Sequence, residues 1–135
     1  MNKIKSGFTL MELTIVLAVL AIIAAILVPL FLRTTDRARL RSDIQSARVI
    51  QNAMDLYRVE QGLPVAGGTI VVDDVLNALQ QAGYLNPRNS RTQTEGAVWV
   101  ISLSEGVRVD ITSSDESVRA AYQNLSAEEQ ALVIR

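Results

Sequence analysis

The stretch FTLMELTIVLAVLAIIAAILVPLFL, residues 8–32, decides the fold: twenty-five residues with one charge, Glu12. At a rise of about 1.5 Å per residue a helix of this length reaches about 37 Å, enough to cross a hydrocarbon core of about 30 Å. A carboxylate inside that core costs on the order of 3 kcal/mol by insertion scales, so Glu12 calls for a partner and a function. The intact chain offers no evident cation beside it.

Working outward, residues 1–7, MNKIKSG, are short, cationic and end in glycine, as a targeting leader would. A secretory signal would place a small-residue cleavage site after the apolar run, yet the run closes on Val28-Pro29-Leu30-Phe31-Leu32-Arg33 without one. Cleavage between Gly7 and Phe8 would instead create an α-amino group four residues from Glu12. That amine supplies the missing counter-charge, and a helix N-terminus favours a carboxylate nearby. The competing reading is a plain signal anchor in which Glu12 reaches toward the interface. Lys3 and Lys5 precede the span while Arg33, Arg37, Arg39 and Arg41 follow it, so charge alone does not select an orientation.

Lys3, Lys5, the run Gly7-Phe8-Thr9-Leu10-Met11-Glu12 and the apolar segment with Pro29 closely resemble the class III signal and first helix of type IV pilins and type II secretion pseudopilins. The resemblance covers roughly the first third of the chain. It implies cleavage after Gly7 by a prepilin peptidase, N-methylation of Phe8, and assembly into a helical filament with the apolar helices at its centre. It further implies that Glu12 pairs with the Phe8 amine of an adjacent subunit, that the amino terminus starts on the cytoplasmic side, and that the helix partly melts near Pro29 in filaments. The partners implied are other copies of the chain, the peptidase, a membrane assembly platform with its ATPase, and lipid before assembly.

The bulk composition narrows the rest. The 135 residues are 49% apolar, a figure raised by the membrane-like run, and leave room for one small head. Arg33, Arg37, Arg39, Arg41 and Arg48 follow the run with only Asp36 and Asp43 among them, whereas beyond Gly62 five arginines face nine acids. A basic stalk and an acidic head suit contact between copies better than nucleic-acid binding, which wants one broad basic surface. The arginines of the stalk can be a solvated face, contacts to phospholipid head groups, or ion pairs between subunits. Cysteine and histidine are absent and both lysines lie in the first seven residues. This removes Ser-His-Asp, Cys-His and head Ser-Lys catalysis and the usual zinc sites, so no enzyme and no cofactor is expected.

Pro29 cannot donate to the Ala25 carbonyl and crowds that turn, which predicts a kink or local opening. From Arg33 to Gln61 the helical period continues through Leu40, Ile44, Ala47, Ile50, Met54 and Tyr57. The second half of that stripe is expected on the head's own sheet and the first half against neighbouring subunits. Gly62-Leu63-Pro64 and Gly67-Gly68 end the helix. A short helix capped by Asp73 or Asp74 should run through Gln81 and stop at Gly83. Residues 97–103 and 107–112 read as a hairpin, with residues 69–72 as a further edge and Trp99 on the sheet face. Residues 113–125 can form a helix, and Ser126 with Glu129 a capping box for another ending near Ile134. Asp110, Asp115 and Glu116 invite a calcium site, but an acidic turn and helix N-terminus explain them without metal.

The expected fold is α+β: a long N-terminal helix, partly transmembrane and kinked at Pro29, packed against a small head of short helices with an antiparallel hairpin or small sheet. Its parts are a leader (1–7), a transmembrane or filament-core helix (8–32), an amphipathic continuation (33–61) and a globular head (62–135). The expected function is a structural subunit of a pilus-like filament, held in the cytoplasmic membrane as a precursor and ending at the cell surface or in a periplasmic pseudopilus. A secretion or DNA-uptake pseudopilin is the alternative within this resemblance, and a monomeric membrane-anchored binding module the alternative outside it. The chain lacks the carboxy-terminal cysteine pair of many major pilins and any counterpart of the aspartate-rich calcium loop of major secretion pseudopilins. Glu12 points to a repeating subunit rather than a tip pseudopilin without this glutamate.

Overall fold

The structure, a computed structural model, describes residues 9–62 and 70–135. In order it contains α1 (Leu10–Gln61), α2 (Val72–Gln81), a 3-10 turn (Pro87–Ser90), β1 (Val98–Ser102), β2 (Gly106–Asp110), α3 (Glu116–Tyr122), α4 (Ala127–Ala131) and β3 (Val133–Ile134). The arrangement is α+β, as the sequence predicts. The chain divides into two units, Met1–Thr34 and Thr35–Arg135.

In the first unit every described residue is exposed, because a lone apolar helix has nothing to pack on. The helix runs unbroken through Pro29. Thr34 returns its hydroxyl to the Leu30 carbonyl at 2.9 Å, which keeps that polar side chain satisfied on the helix itself.

The second unit is organised by the stripe on α1. Leu40, Ile44, Ala47, Ile50, Ala53 and Met54 are buried, and they share one core with Val75, Leu76 and Leu79 of α2 and with Trp99, Ile101, Val107 and Val109 of the sheet. Leu40 and Ile44, at 0% and 1% exposure, are therefore covered by the head itself rather than left for neighbouring subunits. β1 and β2 pair antiparallel with Trp99 opposite Val109 and Ile101 opposite Val107. Side chains alternate between faces along a strand, so these four turn inward together.

The hairpin stands as expected, and a third strand that the sequence does not predict joins it. β3 pairs parallel with β2, Val109 opposite Val133, through Val109 N to the Leu132 carbonyl and Ile111 N to the Ile134 carbonyl, both at 2.9 Å. The helix expected to run to Ile134 stops at Ala131, since Val133 and Ile134 satisfy more backbone groups against the open side of β2. The edge expected at residues 69–72 is not a strand: Val72 already belongs to α2, and Thr69 lies outside the described residues. α3 is confined to Glu116–Tyr122.

Helix ends follow local chemistry. Gly83 has φ +82° and closes α2 with Tyr84 N bonded to the Leu79 carbonyl and Gly83 N to that of Gln80, a Schellman geometry that a left-handed residue makes available. At the start of α2 neither Asp73 nor Asp74 caps: Val71 holds the cap position without a side-chain bond, and both acids sit in the first turn, where the helix dipole still favours them. Ser126 and Glu129 form the expected reciprocal capping box.

Candidate functional site

The site is built at the start of α1. Glu12 Oε2 accepts from the backbone N–H and the hydroxyl of Thr9, each at 3.0 Å, while Glu12 N donates to Thr9 Oγ1 at 3.2 Å. This reciprocal pair satisfies two of the orphan donors that every helix start exposes. The T-x-x-E spacing of Thr9 and Glu12 is the sequence signal for this pair. Among the described residues Oε1 of Glu12 accepts no hydrogen bond, and Thr9 is the partner of Oε2. Gly7 and Phe8, the expected processing residues, lie outside the described residues.

Around that carboxylate the surface is apolar. Leu10 is 86% and Met11 73% exposed, and the helix contains an 18-residue window of mean hydropathy 3.2, none of it buried. Water is a poor solvent for so continuous an apolar face, which therefore belongs in a bilayer or against other apolar helices.

Within the second unit, four polar side chains of α1 fasten the head. Asp43, fully buried, takes the N–H groups of Gln93 and Thr94 at 2.7 and 2.8 Å. Gln51 accepts from Val107 N at 3.0 Å and donates to Asp55 at 3.1 Å. Arg37 reaches the Asn124 carbonyl at 2.9 Å, and Arg41 pairs with Glu129 at 3.2 Å. Two of the stalk arginines thus act inside the subunit, a use outside the three the sequence suggested. Asp43 falls between Leu40 and Ala47 on the apolar stripe, and that placement was the available signal.

The remaining candidates are structural. Trp99 donates its indole N–H to the Ser90 carbonyl at 2.9 Å. Tyr84 donates to Glu60 and meets Tyr57 edge-on, centroids 5.9 Å apart; the bond to Glu60 raises the Tyr84 pKa. Asp110, proposed for calcium, accepts from Thr112 N at 2.7 Å, and the Thr112 side chain and backbone hold its carboxyl below the usual range. Among the described residues no three acids gather as a metal site.

The described residues thus combine one helix long and apolar enough to cross a membrane with a small α+β head. The profile of the prokaryotic N-terminal methylation motif matches residues 2–28. Prepilin peptidase-dependent protein A of Clostridium perfringens is 39% identical over 62 residues, 46% of this chain and 44% of that one. Type IV major pilin protein PilE1 of Neisseria gonorrhoeae is 30% identical over 124 residues, 89% of this chain and 54% of that one. Type II secretion system core protein G of Klebsiella michiganensis is 25% identical over 118 residues, 82% of each chain. The chain spans about half the length of the first two relatives. No solved structure gives a significant match. Motif and relatives together support the pilin and pseudopilin family.

Proposed function

We propose that the chain is a structural subunit of a type IV pilus-like filament, without catalytic activity. It is made as a single-pass precursor in the cytoplasmic membrane, cleaved after Gly7 by a prepilin peptidase and methylated on Phe8. A membrane platform and its ATPase then polymerise it through residues 8–32. The observation that carries this reading is Glu12 locked by Thr9 within a fully exposed apolar helix, under a methylation motif that covers residues 2–28. Oε1 of Glu12 is then the acceptor for the Phe8 amine of the next subunit, which compensates a charge that bilayer and filament core alike disfavour. Mass spectrometry of the mature amino terminus tests it: a methylated Phe8 is expected, and an intact Met1 in cells that make the peptidase would overturn it.

A second reading is favoured by one observation, the match to core protein G over 82% of both chains. In that case the filament is a periplasmic pseudopilus of a secretion machine. Deletion separates the two: loss of surface filaments with secretion intact indicates a pilus, and loss of secretion without surface filaments a pseudopilus.

A further inference from the structure

A groove of about 510 Å³ runs between the second half of α1 and the β1–β2 turn. Met54, Val107 and Leu132 give it an apolar floor, and Arg48 and Arg58 stand on its α1 wall. Its acids are already engaged: Asp55 accepts from Gln51 at 3.1 Å, and Glu105 pairs with Arg108. The two arginines are exposed and, among the described residues, make no hydrogen bond or ion pair. They stand about 15 Å apart along the helix. The groove therefore presents an apolar bed between two uncommitted guanidinium groups, which suits an insert with an apolar knob and more than one carboxylate.

The same chain carries such an insert. Val71 is 50% exposed and leads directly into Asp73 and Asp74, both exposed and both without a hydrogen bond or ion pair among the described residues. The other exposed acidic pair, Asp115 and Glu116, has no large exposed apolar residue beside it. Among the described residues, only the corner at residues 71–74 matches both the charge and the floor.

We propose that this groove receives the residue 71–74 corner of a second copy, with Val71 on the floor and Asp73 and Asp74 against Arg48 and Arg58. The two patches share no residue, so the contact is heterologous, and such contacts repeat without closing when the rotation between copies does not close a ring. The inference rests on the filament reading and adds a lateral contact between heads to the contacts of the apolar helices.

The test uses the full chain in cells that make the native filaments. Arg58→Glu and Asp74→Arg should each lower sheared filament yield about tenfold, the effect of losing about 1.4 kcal/mol per contact, with membrane precursor unchanged. The double variant should restore filaments. The chain has no cysteine, so Asn52→Cys with Val71→Cys in an otherwise native chain should give an oxidised ladder of oligomers in filaments. Single variants with normal yield, a double variant as poor as the singles, or filaments without a ladder would overturn the contact and leave the filament reading standing. A wild-type chain that forms no filaments would remove that reading and this contact with it.

Discussion

Asp43→Asn is the sharpest perturbation of the head. Asp43 is 0% exposed, and its two oxygens receive the N–H groups of Gln93 and Thr94 at 2.7 and 2.8 Å. The substitution keeps the volume but turns one acceptor into an NH2 donor, so one of the two N–H groups faces a donor. A buried N–H without a partner costs about 1–3 kcal/mol, and the surviving bond falls from about 1.5–3 to about 1 kcal/mol when the acceptor loses its charge. Together the loss is about 1.5–5 kcal/mol. At about 4–8 °C per kcal/mol for a folding unit of this size, the melting temperature should drop by at least about 6 °C. Trp99, the single tryptophan, is buried in the same core, so its fluorescence during thermal unfolding of the full chain in micelles reports this unit. Amide exchange at Gln93 and Thr94 should accelerate with it. A melt within about 2 °C of wild type, with both amides exchanging as before, would refute the account of Asp43 as the anchor of this loop.

Three further outcomes are expected. Glu12→Val should still insert in the membrane but yield few filaments by electron microscopy, because it removes the acceptor and not the apolar run; normal filament yield would end the assigned role. Gly83→Ala and Gly96→Ala both force a side chain to positive φ, +82° and +72°, but a Cβ on Gly83 meets nothing within 4 Å while one on Gly96 lies 2.7 Å from the Ser113 carbonyl. In denaturant titrations Gly83→Ala should therefore cost about 1 kcal/mol and Gly96→Ala about 1–3 kcal/mol more, and equal midpoints would contradict the close approach. Hydrogen bonds from the Ser126 backbone, its hydroxyl, and Arg41 hold Glu129 below its ordinary value of 4.5. A depressed carboxyl stabilises the fold above its unfolded value, and that contribution disappears as pH falls through the folded one. The melting difference between wild type and Glu129→Gln should accordingly be constant near neutrality and close below pH 4.5; a difference that persists in strong acid would show that Glu129 acts by packing alone.

The elements with their own local chemistry were legible in the sequence. An uncharged run of membrane length, a glycine poised to end α2, a Ser126–Glu129 box and an alternating hairpin each carry their reason within a few residues. β3 carries none: Val133 and Ile134 continue a helix-like pattern, and only the unpaired side of β2, brought there by the fold, makes a strand the better outcome. Asp43 and Gln51 were hidden for a related reason. Their partners are backbone groups of Gln93, Thr94 and Val107, and a backbone N–H has no letter in the sequence. At Glu12 the nearer partner is Thr9, three residues back, and the T-x-x-E spacing is its signal in the sequence.

The fastenings between α1 and the head have one more consequence. Asp43 and Gln51 grip amide groups, and Arg37 a carbonyl, that any residue other than proline would present equally well at the gripped amides. These three attachments are therefore blind to the side chains they hold. Head loops can drift in sequence, and change what they show to the outside, while the helix keeps the same hooks. A grafted head would need its main chain in the right places more than any particular residues, and positions 37, 43 and 51 of the helix are the ones to leave untouched.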